Sequence, residues 1–342
     1  MKTRLRFPLE LVVFVYFLSY LPNVILTRLV TSQPDAVLGR PITGLETLPA
    51  SLIVSLVTTY LFIWLADWHR DANRVSVAGL NVPVPTRYTL LSGIGTALVL
   101  FTVPLSFTIP DVSIPFMQLL MRGDILLVAP LVDLAFRRKV RWWSWAALAM
   151  VAVAMLVTIG DRGGLKLPPI AIATIALYTL GYFTRLAVMT KVSKTGDPAS
   201  VRKYFVEEKV VALPLAIGAL ALLSLSGIDG HTSGLHWGFV EVWSRPQIVP
   251  IALIGLTLTI VSVFAIVILL HPSENSYCVP LERAASLVAG VGGSVLLAWF
   301  WGLPMPNGAE LTGAGILIAA IVLLSLAPRR FAAEREAKAE ER

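Results

Sequence analysis

Apolar runs of about twenty residues alternate with short polar connections along the whole chain. Ten such runs fall at roughly 8–30, 44–66, 87–108, 112–135, 142–160, 168–190, 203–226, 248–270, 277–299 and 308–327. At about 1.5 Å per residue, each is long enough to cross the hydrocarbon core of a bilayer as a helix. Lipid offers the backbone no hydrogen-bond partners, so helices must fill that depth. The links at Ile109–Asp111 and His271–Asn275 are short enough to force antiparallel neighbours. The expected fold is therefore an all-α membrane protein of ten transmembrane helices.

Composition agrees. Of 342 residues, 56% are hydrophobic and 14% charged, against about a quarter charged in soluble domains. The net charge of +7 raises a nucleic-acid reading, but the basic residues sit at alternate connections and form no continuous patch. With the N-terminus in the cytoplasm, nineteen Lys and Arg fall inside and five outside (Arg28, Arg40, Arg162, Lys166 and Arg245). That bias predicts a multi-pass protein of the cell (inner) membrane with both termini cytoplasmic. The basic start and first apolar run look like a signal peptide, but the run is too long and lacks an A-x-A-like site, so it is expected to stay as the first span. All nine tryptophans lie at span ends or in connections, the headgroup level that indole prefers. Cys278 is the single cysteine and excludes an internal disulfide. The tail, residues 329–342, reads as a charged cytoplasmic helix or disordered end.

An internal repeat recurs at an offset of roughly 162 residues. Tyr16, Tyr20 and Asn23 in the first span match Tyr178, Tyr182 and Arg185 in the sixth. Glu46 falls opposite Glu207 or Glu208, Arg122 opposite Arg283, and the Pro34-Asp35 turn opposite Asp197-Pro198. Five spans per half is an odd number, so the second copy enters the bilayer from the other side. The expectation is an inverted repeat, residues 1–160 and 161–328, a common plan for secondary transporters.

At this point the chain resembles the EamA-type drug/metabolite transporter superfamily. The five-plus-five plan carries the resemblance, with the short third-to-fourth and eighth-to-ninth links. So do the small-residue ninth span (Ala284-Ala285-Ser286, Ala289-Gly290, Gly292-Gly293-Ser294) and the basic-aromatic entry to the fifth (Phe136 to Trp143). The G-A-L-N-K pattern of the nucleotide-sugar branch is absent. The resemblance implies a cavity lined by spans one to four and six to nine, with five and ten peripheral.

Ionisable groups inside apolar spans are functional candidates, because each costs about 2.5–3.5 kcal/mol at mid-span unless it meets a partner or water. Arg122 and Arg283 are placed as mirror images, to bind an anionic substrate group, to gate opposite ends of one cavity, or to form structural ion pairs with Asp124 or Glu282 on neighbouring helices. Tyr178, Tyr182 and Arg185 share one helical stripe, as do Tyr16, Tyr20 and Asn23; either stripe could line a cavity or glue helices together. These eight residues are the candidate substrate site, and Glu46, Asp124, Glu207 and Glu282 the candidate acids for proton coupling. Lys209 is expected to snorkel to the near interface, and Pro22, Pro130 and Pro214 could loosen their helices as hinges. The four histidines form no ligand cluster, and no Walker A, G-x-S-x-G or dinucleotide fingerprint occurs. No metal, cofactor or catalytic site is expected. The expected activity is alternating-access export of a small organic metabolite, with bilayer and substrate as partners and no nucleic acid. A lipid flippase of the same fold is the rival, and a polytopic enzyme stands behind it.

Overall fold

The computed structural model describes residues 9–77, 80–107, 109, 112–121, 123, 142–161, 167–192, 197–226, 231–271 and 275–340. Helices dominate them: α1 (Leu9–Ser32), α2 (Gly44–Leu65), α3 (Arg87–Ser106), α4 (residues 114–121), α5 (Trp142–Asp161), α6 (Pro169–Val192), α7 (Pro198–Leu225), α8 (His231–Phe239), α9 (Ile248–Leu269), α10 (Asn275–Trp301) and α11 (Gly308–Glu340). Helices α9, α10 and α11 are the eighth, ninth and tenth apolar runs.

Among the described residues, seven helices are long and apolar enough to cross a membrane: α1, α2, α3, α6, α7, α9 and α10. Within α5 and α11 the apolar stretches are shorter, Trp145–Asp161 and Gly308–Leu323. The second half of the fourth run lies outside the described residues.

Burial is inverted relative to a soluble protein. Leu156, Leu222, Leu225 and Phe300 face outward, while Arg185, Glu207, Glu208, Lys209 and Arg283 are buried. Hydrocarbon is the solvent in which that distribution is stable. Trp64, Trp142, Trp145, Trp243, Trp299 and Trp301 also project outward near span ends, as an interfacial belt requires. The chain is a multi-pass membrane protein.

Two features depart from the expected plan of ten helices. A hairpin, β1 (Arg74–Val77) and β2 (Leu80–Pro83), follows α2, its antiparallel register pairing Val75 with Val82 and Ser76 with Asn81. Its strands are four residues long inside a polar connection, too short to register as alternation. The second is α8, between the seventh and eighth runs. The tail is helical as far as Glu340. Helices α1 and α7 run through Pro22 and Pro214 without a break, and Pro130 is outside the described residues.

Helix starts follow local chemistry. Thr43 and Glu46 form a reciprocal capping box on α2, and Thr86 and Thr89 do the same on α3. At α7, Asp197 is the N-cap with Pro198 at the first helical position. The Ala199 N–H, above all, holds the Asp197 carboxyl below its usual range.

The chain forms two compact units. Unit 1 takes residues 1–112 and 168–272, and unit 2 takes 113–167 and 273–342. In unit 1, α3 lies against α6 and α7, and α9 lies against α1 and α2, with α2 also touching α7 and α8. Leu52, Leu100, Leu213 and Leu258 anchor its core. In unit 2, α11 packs on α5 and α10 around Leu119, Val151, Leu287 and Leu317.

The α3–α6 crossing depends on two glycines. A Cβ on Gly95 would lie 2.6 Å from the Gly181 carbonyl oxygen, and a Cβ on Gly181 would lie 2.5 Å from that of Gly95. Only hydrogen at both positions lets the backbones meet, the small-residue packing that substitutes for a hydrophobic driving force in lipid. Gly95→Ala should therefore cost about 1–3 kcal/mol in a denaturant titration in detergent. Gly218→Ala, with nothing within 4 Å of the added carbon, should stay within about 0.5 kcal/mol of wild type. Equal stabilities for the two variants would refute the crossing geometry.

Candidate functional site

The tyrosine stripes of α1 and α6 are buried. Tyr16, Tyr20 and Asn23 are 1%, 3% and 2% exposed, and Tyr178, Tyr182 and Arg185 are 0%, 3% and 6%. Within each stripe the rings touch, Tyr16 and Tyr20 at 5.6 Å and Tyr178 and Tyr182 at 6.0 Å between centroids. The i, i+4, i+7 spacing places all three side chains of each stripe on one helix face, and both faces are turned away from lipid.

The two stripes end differently. Asn23 donates from Nδ2 to the Ile254 carbonyl at 3.1 Å and to Thr257 Oγ1 at 2.9 Å, tying α1 to α9. Arg185 instead meets a charge: its Nε lies 2.8 Å from Glu208 Oε1 on α7. Thr96 of α3 donates its hydroxyl to the same carboxylate oxygen, and the hydroxyls of Ser92 and Tyr204 hydrogen-bond beside it. Three helices thus supply a buried polar cluster of Ser92, Thr96, Arg185, Tyr204 and Glu208. Lys209 follows directly on α7 and is 1% exposed, so it does not snorkel as expected.

Of the candidate acids, Glu46 sits in the first turn of α2. It accepts the Thr43 N–H at 2.7 Å and pairs with Arg40 at 2.6 Å. Its geometry is that of a helix cap. Glu207 accepts from the Asn73 N–H at 3.1 Å, the Thr89 hydroxyl at 2.8 Å and the Thr86 N–H at 3.4 Å. It thereby fastens the hairpin connection and the start of α3 to α7. Arg202 to Asp71 and Lys203 to Asn73 reinforce that seam. Glu282 pairs with Arg283 at 3.3 Å on α10 of unit 2, where both are buried. Arg122 and Asp124 lie outside the described residues.

Sequence reasoning singled out Glu207 as the acid of this region, whereas Glu208 is the one that meets Arg185. Tyr204 and Glu208, four apart on one face of α7, carried the signal that could have found it. Ser92 and Thr96 repeat that spacing on α3, but hydroxyls in a membrane span are too common to stand out. Among the described residues no group of His, Cys, Asp and Glu could hold a metal ion.

No family model and no curated protein matches this chain. Solved structures do match its fold. One, described only as a crystal structure of a protein, aligns with 94% of this chain and 98% of its own at 14% identity and a TM-score of 0.56. At that identity the likeness is one of fold.

A buried ion pair costs more to break than it contributes intact, because the survivor is left charged without a partner. Arg185→Met alone or Glu208→Met alone should each lose about 3–5 kcal/mol of stability, and the double variant should lose less than either. Additive losses across the cycle would show that the two groups do not act as a pair.

Proposed function

We propose that the chain is a secondary transporter of a small organic metabolite, an EamA-type carrier of ten spans in two inverted five-helix repeats. The observation that carries this reading is the burial of both polar-aromatic stripes, which puts phenols, an amide and a guanidinium in the interior of unit 1. Such groups inside a membrane protein line ion or substrate routes more readily than they line lipid.

Support for the repeat comes from which helices touch. If the first five spans correspond in order to the last five, the α1–α9 contact corresponds to α3–α6, and α2–α9 to α3–α7. Both members of each set occur, and α2–α7 and α5–α11 join equivalent spans. The compact units divide the same way, one taking spans one to three with six to eight, the other the remaining four.

On this reading the substrate contacts are Tyr16, Tyr20, Asn23, Tyr178, Tyr182 and Arg185. Alternating access must wet these positions in some state. Cysteines replacing Tyr20 or Tyr182 in a Cys278→Ser background should react with a charged methanethiosulfonate reagent, with rates that change when a transported metabolite is added. Complete protection under all conditions would assign the stripes to packing. Proteoliposomes carry the parallel assay: metabolite flux without lipid scrambling supports the carrier, and scrambling without flux supports a flippase.

A further inference from the structure

One buried charge of unit 1, Lys209, has no ion pair among the described residues. Among its described residues, Glu46 is neutralised by Arg40, Glu207 is held by three donors with Lys203 4.0 Å away, and Glu208 is matched by Arg185. Lys209 makes no hydrogen bond or ion pair with any described residue. Its ammonium lies 5.7 Å from the centre of the Phe205 ring, and that ring packs edge-on against Phe62 and Trp68.

The charges acting on Lys209 are those of Glu208 and Arg185, which already form an ion pair with each other. Over its whole length α9 has no ionisable side chain, α2 has only Glu46 and Tyr60, α3 only Arg87 and Tyr88 in its first turn, and α8 only His231 and His236. Lys209 is therefore a buried cation with no ion pair among the described residues, in an interior where an uncompensated charge is costly.

Resting on the carrier reading, we propose that Lys209, with Arg185 beside it, is the docking point for the anionic group, carboxylate or phosphate, of the transported metabolite. Glu208 then acts as the internal counter-anion that holds Arg185 while the site is empty. The alternative cargo, an organic cation, would have to use Glu208, whose charge is already met by a guanidinium at 2.8 Å. An incoming carboxylate or phosphate meets an ammonium that no described residue holds in an ion pair, and so gains a charge-assisted hydrogen bond.

The test uses the full chain in phosphatidylcholine nanodiscs, with benzoate, succinate and inorganic phosphate as probes and benzylamine as the cationic control. At least one anion should raise the melting temperature with a measurable affinity. Lys209→Met, which keeps the volume, should weaken that affinity about tenfold or more, and Lys209→Arg should hold it within about threefold. Glu208→Gln frees Arg185 from its carboxylate and should tighten anion binding, a direction that a merely structural role would not produce.

Equal anion affinity in wild type and Lys209→Met, or stabilisation by benzylamine alone, overturns the proposal. So does loss of the effect when phosphatidylglycerol is added, because the site then selects a lipid headgroup over a free solute. Flux of a neutral or cationic metabolite untouched by Lys209→Met would remove this site and leave the carrier reading standing. Lys209-dependent anion binding without flux in proteoliposomes would do the reverse.

Discussion

Hydrocarbon supplies no hydrogen-bond partner, and the arrangement of this chain follows from that single deficiency. A polar side chain inside the bundle must find its partner within the protein, on its own helix or on another, and those that reach across select which helices touch. Asn23 selects α9 for α1. Thr259 selects α2 for α9 by meeting Ser55 at 3.0 Å and Thr58 at 2.7 Å. Glu207 selects the start of α3 for α7. Apolar packing between these helices adds area but little direction, since lipid tails satisfy a leucine as well as another leucine does.

Small residues then set how closely the chosen helices approach, and closeness is what makes the charged cluster possible. A Cβ on Gly95 would also lie 3.2 Å from the backbone nitrogen of Arg185, so the α3–α6 crossing sits at the arginine itself. On the same helix, Gly93 lets Val211 of α7 come near, a Cβ there falling 2.7 Å from Val211 Cγ1. These two glycines, two residues apart, turn toward different neighbours. They bring α6 and α7 onto α3 at one level, where Thr96 meets the carboxylate that Arg185 grips. Packing and electrostatics are here one device: a methyl at Gly95 would press on the helix that holds the guanidinium.

Span positions were legible because length and hydropathy act residue by residue. The second apolar run, read as 44–66, is the helix Gly44–Leu65, and the ninth, read as 277–299, is Asn275–Trp301. The seventh starts five residues earlier than its apolar run, at Pro198, because residues 198–202 continue the helix beyond the hydrophobic stretch. The Asp197-Pro198 pair was the cap signal that marked this start. Partners were not legible. Arg185 and Glu208 lie on successive helices and meet only because α3 draws both in. Lys209 looked free to snorkel by its distance from the run's edge, and only packing of Phe205 against Phe62 and Trp68 shows that its side of α7 is covered. Hairpin β1–β2 and helix α8 were lost inside connections whose polarity masked their short patterns.

Equivalence under the proposed repeat does not carry chemical equivalence with it. Glu46 and Glu208 stand 162 positions apart, as Tyr16 and Tyr178 do, yet one is a cap and the other a partner for a buried guanidinium. The cause is where each helix begins. Helix α2 starts at Gly44, which leaves Glu46 in the first turn facing unsatisfied N–H groups and the nearby Arg40. Helix α7 starts at Pro198, so Glu208 lies almost three turns in, beyond reach of the helix end and against α3. An earlier start, fixed by the Asp197 cap, thus converts a terminal carboxylate into an interior one. The same shift sinks the lysine that follows it below the surface of the bundle.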